Sequence, residues 1–180
     1  MKLTARSTLA DVAAAVARAL RQAEIVAVLT GGACATLYTD GAYQSFDLDF
    51  IVRSGGNRKS LDSAMAGVGF QRDGDHYVHP ATKFFVEFPR GPLAIGDDVE
   101  ITPVTIRLKH GAVQALSATD ACRDRLAAFY YWDDRQSLRT AVEIARRRRV
   151  SVDAIRRWST HEGQTDKFLE FARALRRRRV

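Results

Sequence analysis

The chain is poor in the residues that build covalent or metal scaffolds. Of its 180 residues two are cysteine, Cys34 and Cys122. They lie far apart and outside any CxxC spacing, so neither a disulfide framework nor a zinc site is supported. Such sparse cysteine fits a reducing, cytoplasmic compartment. His76, His79, His110 and His161 show neither ligand nor triad spacing, which leaves no Ser/His/Asp case. No stretch approaches the roughly 18 uninterrupted apolar residues of a membrane span, so no membrane partner is expected. Asp11, Arg18, Arg21 and Glu24 interrupt the segment that a signal peptide would need apolar. Internal repeats are lacking too. What remains is a globular composition, 46% apolar and 27% charged, in a length that suits one domain or one domain with an appendage.

The body of the chain also lacks a charge excess. Lys and Arg number 28 against 21 Asp and Glu, a net +7. Residues 146–180 hold 12 of the basic residues and 4 of the acids, a balance of +8, so residues 1–145 are close to neutral at −1. A nucleic-acid-seeking surface would therefore be concentrated at the C-terminal end.

Periodicity divides the chain into an α/β part, residues 1–115, and a helical, basic part, residues 116–180. Leu9, Val12, Val16 and Leu20 recur on one helical face within 7–23, where Ser7 or Thr8 can cap. The apolar run 25–30 suits a buried strand; Gly31-Gly32 breaks it, and 33–39 is expected to be a short helix. Strict alternation marks 46–52 as a strand. A helix over 59–68 follows, then strands over 70–78, 83–88 and 99–107. Helices are expected over 119–131, 136–148, 152–158 and 164–177. The fold class is thus α/β (α+β), a mixed sheet with a helical C-terminal extension.

The chemistry is concentrated in TGGACATLYTDGAYQSFDLDFIV, residues 30–52. Asp47 and Asp49 are two apart on a strand and project from one face, while Phe46, Leu48 and Phe50 point the other way, toward the core. Carboxylates this close repel unless a cation lies between them, and hard divalent ions take oxygen ligands in this way. A strand, two glycines and a helix start form a place where backbone N–H groups can meet a phosphate. Either element alone is common. Together they describe one pocket with anion donors on one side and metal-binding carboxylates on the other.

This arrangement resembles the nucleotidyltransferase superfamily related to DNA polymerase beta. The resemblance implies that Asp47 and Asp49 bind catalytic Mg²⁺ or Mn²⁺, and that Gly31 and Gly32 hold the phosphates of an NTP. Ser45 matches a hydroxyl residue often found before the first Asp. The 14 residues between Gly32 and Asp47 are slightly more than usual, which suggests a modest insertion near Asp40-Gly41. A third acid normally comes from a neighbouring strand. Glu87 in KFFVEF is the candidate, with Glu100 in VEITPV the alternative; Asp75 falls in a hairpin turn, DGDH. Lys83 shares the face of Glu87 and is a partner or a phosphate contact, as is Arg53.

More narrowly, FFVEFPRGPLAIGDD and LSATDACRDRLAAFYYWDDRQSL, with the first motif, resemble the minimal bacterial nucleotidyltransferases of the abortive-infection (AbiEii-like) toxins. That implies transfer of an NMP to an RNA acceptor such as a transfer RNA 3′ end, and a cognate antitoxin. A small-molecule acceptor, or a non-catalytic binding module of the same fold, are the alternatives. Arg125 or Arg135 can neutralise phosphate and Tyr131 or Trp132 can stack on a base, but a capped helix–turn–helix with packed aromatics explains that segment more simply. The runs Arg146, Arg147, Arg148, Arg149 and Arg176, Arg177, Arg178, Arg179 end two expected helices. Helix dipoles favour cations there, yet eight arginines exceed what caps require, so RNA binding is expected of them.

Overall fold

The computed structural model describes residues 2–177, which form a seven-stranded mixed sheet and seven helices. Helix α1 (Leu9–Gln22) starts at a capping box: Thr8 accepts from the Asp11 N–H, and the Asp11 carboxylate accepts from that of Thr8. Its Leu9, Val12, Val16 and Leu20 are buried, and the helix packs on the sheet and on α3. Strand β1 (Val26–Leu29) leads into α2 (Gly31–Tyr38), which begins two residues before the expected start and so takes both glycines into its first turn. After β2 (Asp47–Ser54) comes α3 (Arg58–Ala66), capped by Asn57.

The expected strand over 70–78 is a tight hairpin, β3 (Gln71–Asp73) and β4 (His76–Val78), turning at Gly74-Asp75. Strand β5 (Phe85–Glu87) follows. Only the end of the expected 99–107 strand forms, as β6 (Val104–Leu108), because Pro103 has no N–H to give the ladder. It pairs with β7 (Gly111–Ala115), a strand the sequence pattern did not suggest. The order across the sheet is β3-β4-β5-β2-β1-β7-β6, with β2 parallel to β5 and β1 parallel to β7. This places the strand of Asp47 and Asp49 at the centre, with Glu87 on its immediate neighbour.

Every described element after Ala115 is helical: α4 (Ala118–Trp132), α5 (Arg135–Arg147), α6 (Val152–His161) and α7 (Thr165–Arg176). Ser117, Asp134 and Ser151 cap the first three through their side chains. Helices α4 and α5 pack on α2, and α6 and α7 brace them from behind. Helix α4 thereby comes to line a cleft together with Asp49. No helix among the described residues is long and apolar enough to cross a membrane.

Candidate active site

Strand β2 buries Leu48 and Phe50 on one face and leaves Asp47 and Asp49 half-buried on the other. Its parallel partner β5 is in register, Asp47 beside Phe85 and Asp49 beside Glu87. Neighbouring residues in register project from the same face. The sheet therefore places three carboxylates on one face of two adjacent strands. Glu100 takes no part: it is exposed in the irregular segment before β6, where its N–H donates to Asp98 Oδ1.

Helix α2 closes over the aspartates. Gly31 has φ +62°, and a Cβ there would collide with Asp49 Oδ2. A Cβ on Gly32 would run into Ser45 Oγ and the Tyr43 hydroxyl, at 2.6 and 3.0 Å. Both glycines are thus demanded by contact with the residues around the carboxylates. Ser45 is buried; its N–H donates to Thr36 Oγ1 at 2.9 Å and its hydroxyl donates to Asp47 Oδ1. Thr36 in turn donates to the Gly32 carbonyl at 3.0 Å, so turn, helix and first aspartate are tied together. Thr30, ahead of the helix, makes no side-chain cap, and its N–H joins the Asp49 carbonyl at 2.9 Å.

Helix α4 supplies a part that the simpler reading of its sequence gave to packing. Asp124 and Arg125 line a cleft of about 290 Å³ together with Thr30, Gly31 and Asp49. The guanidinium of Arg125 donates from Nε and Nη2 to Asp124 Oδ2, at 3.0 and 2.7 Å, and its charge acts on both Asp49 and Tyr43. Burial, then repulsion from Asp47, Glu87 and Asp124, pushes the Asp49 carboxyl up to about 6, with Arg125 pulling the other way. The far wall is the segment after β5, through Pro89, Pro92, Leu93 and Ala94. Arg123 fixes that segment by pairing with Asp98, and the Trp158 indole does so by donating to the Ile95 carbonyl at 3.2 Å. The sequence already offered Arg125 as a phosphate contact; nothing in it distinguished Tyr43.

Other expected positions lie elsewhere. Lys83 precedes β5, and its ammonium sits 4.7 Å from the centre of the Phe46 ring, so it makes no ion pair with Glu87. Phe46 itself is 46% exposed and not in the core, because it lies just outside β2 and stacks on Phe84. Arg53 is exposed near the end of β2. Arg135 pairs with Asp133 and Glu170, Tyr131 donates to Glu162, and Trp132 is 78% exposed. In the basic runs Arg146 donates to the carbonyls of Ala174, at 3.0 Å, and Arg177, at 2.5 Å, at the end of α7. Arg147 pairs with Glu143 and Arg148 with Asp40, while Arg149, Arg176 and Arg177 are exposed. Three of the first four arginines are thus held by the protein itself. Arg178 and Arg179 lie outside the described residues.

The donor set suits a hard divalent cation. Mutual repulsion of the three carboxylates is what such an ion would relieve, and the cleft of about 290 Å³ lined by Gly31 and Asp49 opens beside them. Among the described residues no three His, Cys, Asp or Glu side chains converge closely enough to hold an ion unaided. Mg²⁺ sites of this kind take one or two carboxylates and complete the shell with substrate phosphates and water. Such a site does not require a full protein cage.

Comparison with solved structures identifies the fold. An antigenic nucleotidyltransferase-like protein from Paracoccidioides brasiliensis superposes with a TM-score of 0.58 at 16% identity, over 78% of this chain and 77% of that one. The antibiotic-resistance factor ANT(2'')-Ia aligns over 84% of this chain and 94% of its own, with a TM-score of 0.49 at 14% identity. No protein-family model and no curated protein matches the sequence. The fold is that of the nucleotidyltransferase-like proteins, a mixed α/β core with a helical C-terminal part.

Proposed function

We propose that the protein transfers a nucleoside monophosphate from an NTP to an acceptor hydroxyl and releases pyrophosphate. The observation that carries this reading is the register of Asp49 with Glu87, on the face where Gly31 presses on the Asp49 carboxylate. Asp47, Asp49 and Glu87 would hold Mg²⁺ or Mn²⁺, and the bound cation supplies charge neutralisation at the triphosphate. The N–H groups opening α2, at Gly31 and Gly32, receive phosphate oxygens, and Arg125 faces the same charge from α4. The acceptor oxygen attacks the α-phosphorus as the bond to pyrophosphate breaks, and a Glu87 carboxylate oxygen takes the acceptor's proton. Ser45 holds Asp47 in place throughout.

The acceptor we favour is RNA, with the protein acting in the cytoplasm as the toxin of a toxin–antitoxin pair. Support comes from the sequence resemblance of residues 30–52 and of the α4 segment. The test incubates purified protein with each labelled NTP, Mg²⁺ and total RNA beside an Asp47→Ala variant. Label on RNA with the wild type only is the expected result. Metal-dependent label on small alcohols or amines and none on RNA would replace the acceptor; absence of metal-dependent NTP binding would remove the transferase reading altogether. Growth arrest on expression, relieved by Asp47→Ala, reads the toxin role separately.

A further inference from the structure

A second cavity, of about 850 Å³, is an open groove that begins at Glu87. Pro89 lines both this groove and the Asp49 cleft, so the two are neighbours around the end of β5. Three arginines from separate elements line it: Arg58 in the first turn of α3, Arg72 on β3 and Arg90 after β5. All three are exposed, and none of them pairs with a carboxylate among the described residues. The acids on the groove are Asp75, in the β3–β4 turn, and Glu87 itself. Asp62 is not part of the lining and accepts the Tyr77 hydroxyl at 2.6 Å. Tyr77 and Phe88 pack edge to face at 5.5 Å and form the aromatic part of the lining.

We infer that this groove is the acceptor channel and takes the phosphates of an RNA strand on Arg58, Arg72 and Arg90, with the reacting hydroxyl delivered to Glu87. The inference rests on the transfer reading above and adds to it where the acceptor lies and what charge it carries. Three observations lead there. The groove meets the carboxylates at Glu87, the residue placed to take the acceptor's proton, while Gly31 lines the other cleft where the triphosphate would lie. Three cations disfavour an amine-bearing acceptor and favour a polyanion. Their placement on three elements along one open groove suits successive phosphates of a strand better than one small anion, which a closed pocket would surround. On this assignment the C-terminal arginines are not the principal contact.

The test measures binding of a single-stranded oligoribonucleotide without NTP, as a function of salt, for the wild type and for Arg58→Gln/Arg72→Gln/Arg90→Gln. Loss of three phosphate contacts lowers the magnitude of the log–log salt slope by about 2, at roughly 0.7 per contact for a single strand, and weakens binding at least tenfold at low salt. Each single variant moves the slope by about a third of that, which guards against a triple variant that folds poorly. Arg157→Glu, at an exposed position of α6 outside the groove, leaves affinity as it was. Unchanged binding in the triple variant, an equal loss in Arg157→Glu, or no tighter binding of the oligonucleotide than of a mononucleotide would each overturn the channel. The two readings separate through Asp47→Ala, which abolishes transfer and keeps RNA affinity. Arginine-dependent RNA binding without any transfer by the wild type upholds the groove and removes the transferase. Transfer to RNA that ignores the three arginines does the reverse.

Discussion

Gly31 stands so close to Asp49 that a single methyl group at position 31 would overlap Oδ2 of the carboxylate. The glycine also sits at φ +62°, where a side chain costs about 1–2 kcal/mol. Gly31→Ala is therefore expected to act twice. It lowers stability by that amount, seen as a fall in melting temperature of several degrees. It also displaces the second aspartate, so nucleotide transfer drops far more than the loss of folded protein explains, by about a hundredfold or more. Gly41→Ala is the comparison: it shares a positive φ, +80°, but nothing lies within 4 Å of its Cβ position, so strain appears without loss of turnover.

The crowding of acids around Asp49 has a consequence for stability. Its carboxyl is raised from 3.8 to about 6, first by burial and then by Asp47 and Glu87. The folded state consequently binds this proton more tightly than the unfolded chain. The resulting stabilisation is complete below pH 4 and is lost as pH rises through about 6, at most about 3 kcal/mol from this group. Asp49→Asn, which has no such charge, should melt several degrees above the wild type at pH 7.5, with the gap closing by pH 4.5. Mg²⁺ should raise the wild-type melting temperature at pH 7.5 and leave that of the variant unchanged. A wild type that melts no lower at pH 7.5 than Asp49→Asn would show that these acids are not in conflict.

Much of the chemistry was legible in the sequence because it is local. The two-residue spacing of Asp47 and Asp49 sets their common face, and the glycine pair marks the turn before α2. Glu87 was legible as a carboxylate in an apolar run, although its register with Asp49 depends on pairing between strands 38 residues apart in sequence. Long-range packing hid the rest. Phe46 has the parity of a core residue and is exposed because β2 starts one residue later. Strand β7 carries only Val113 and Ala115 as buried residues, too short an alternation to stand out. Asp124 and Arg125 become site residues only because α4 packs on α2, which helical periodicity alone does not specify.

The arginine run at the end of α5 separates capping from RNA binding. Arg146 donates to two carbonyls at the end of α7, so Arg146→Ala removes a cap and leaves those carbonyls to water. The expected cost is about 1 kcal/mol, read by denaturant titration as a lower midpoint with an unchanged slope. The salt dependence of RNA binding should be untouched. A change in salt slope with no change in stability would return this arginine to the RNA-binding surface.

The wall of the Asp49 cleft depends on a buried cation some distance from it. Arg123 is 8% exposed, pairs with Asp98 and Asp120, and lies 5.1 Å from the centre of the Trp158 ring. Its Nε has no hydrogen-bond partner among the described residues, so the guanidinium already tolerates little further loss. Asp98→Ala removes the contact that holds the segment of Pro92 and Leu93 against α4, and leaves the charge with Asp120 alone. Stability should fall by about 1–3 kcal/mol. Because Leu93 and Ala94 line the cleft beside Gly31 and Asp49, KM for the NTP should rise severalfold while kcat changes little. Asp98→Asn retains a hydrogen-bond acceptor for Arg123 and should restore most of KM. An equal fall in kcat for both variants, with KM unchanged, would instead place Asp98 in the chemistry and not in the support of the cleft.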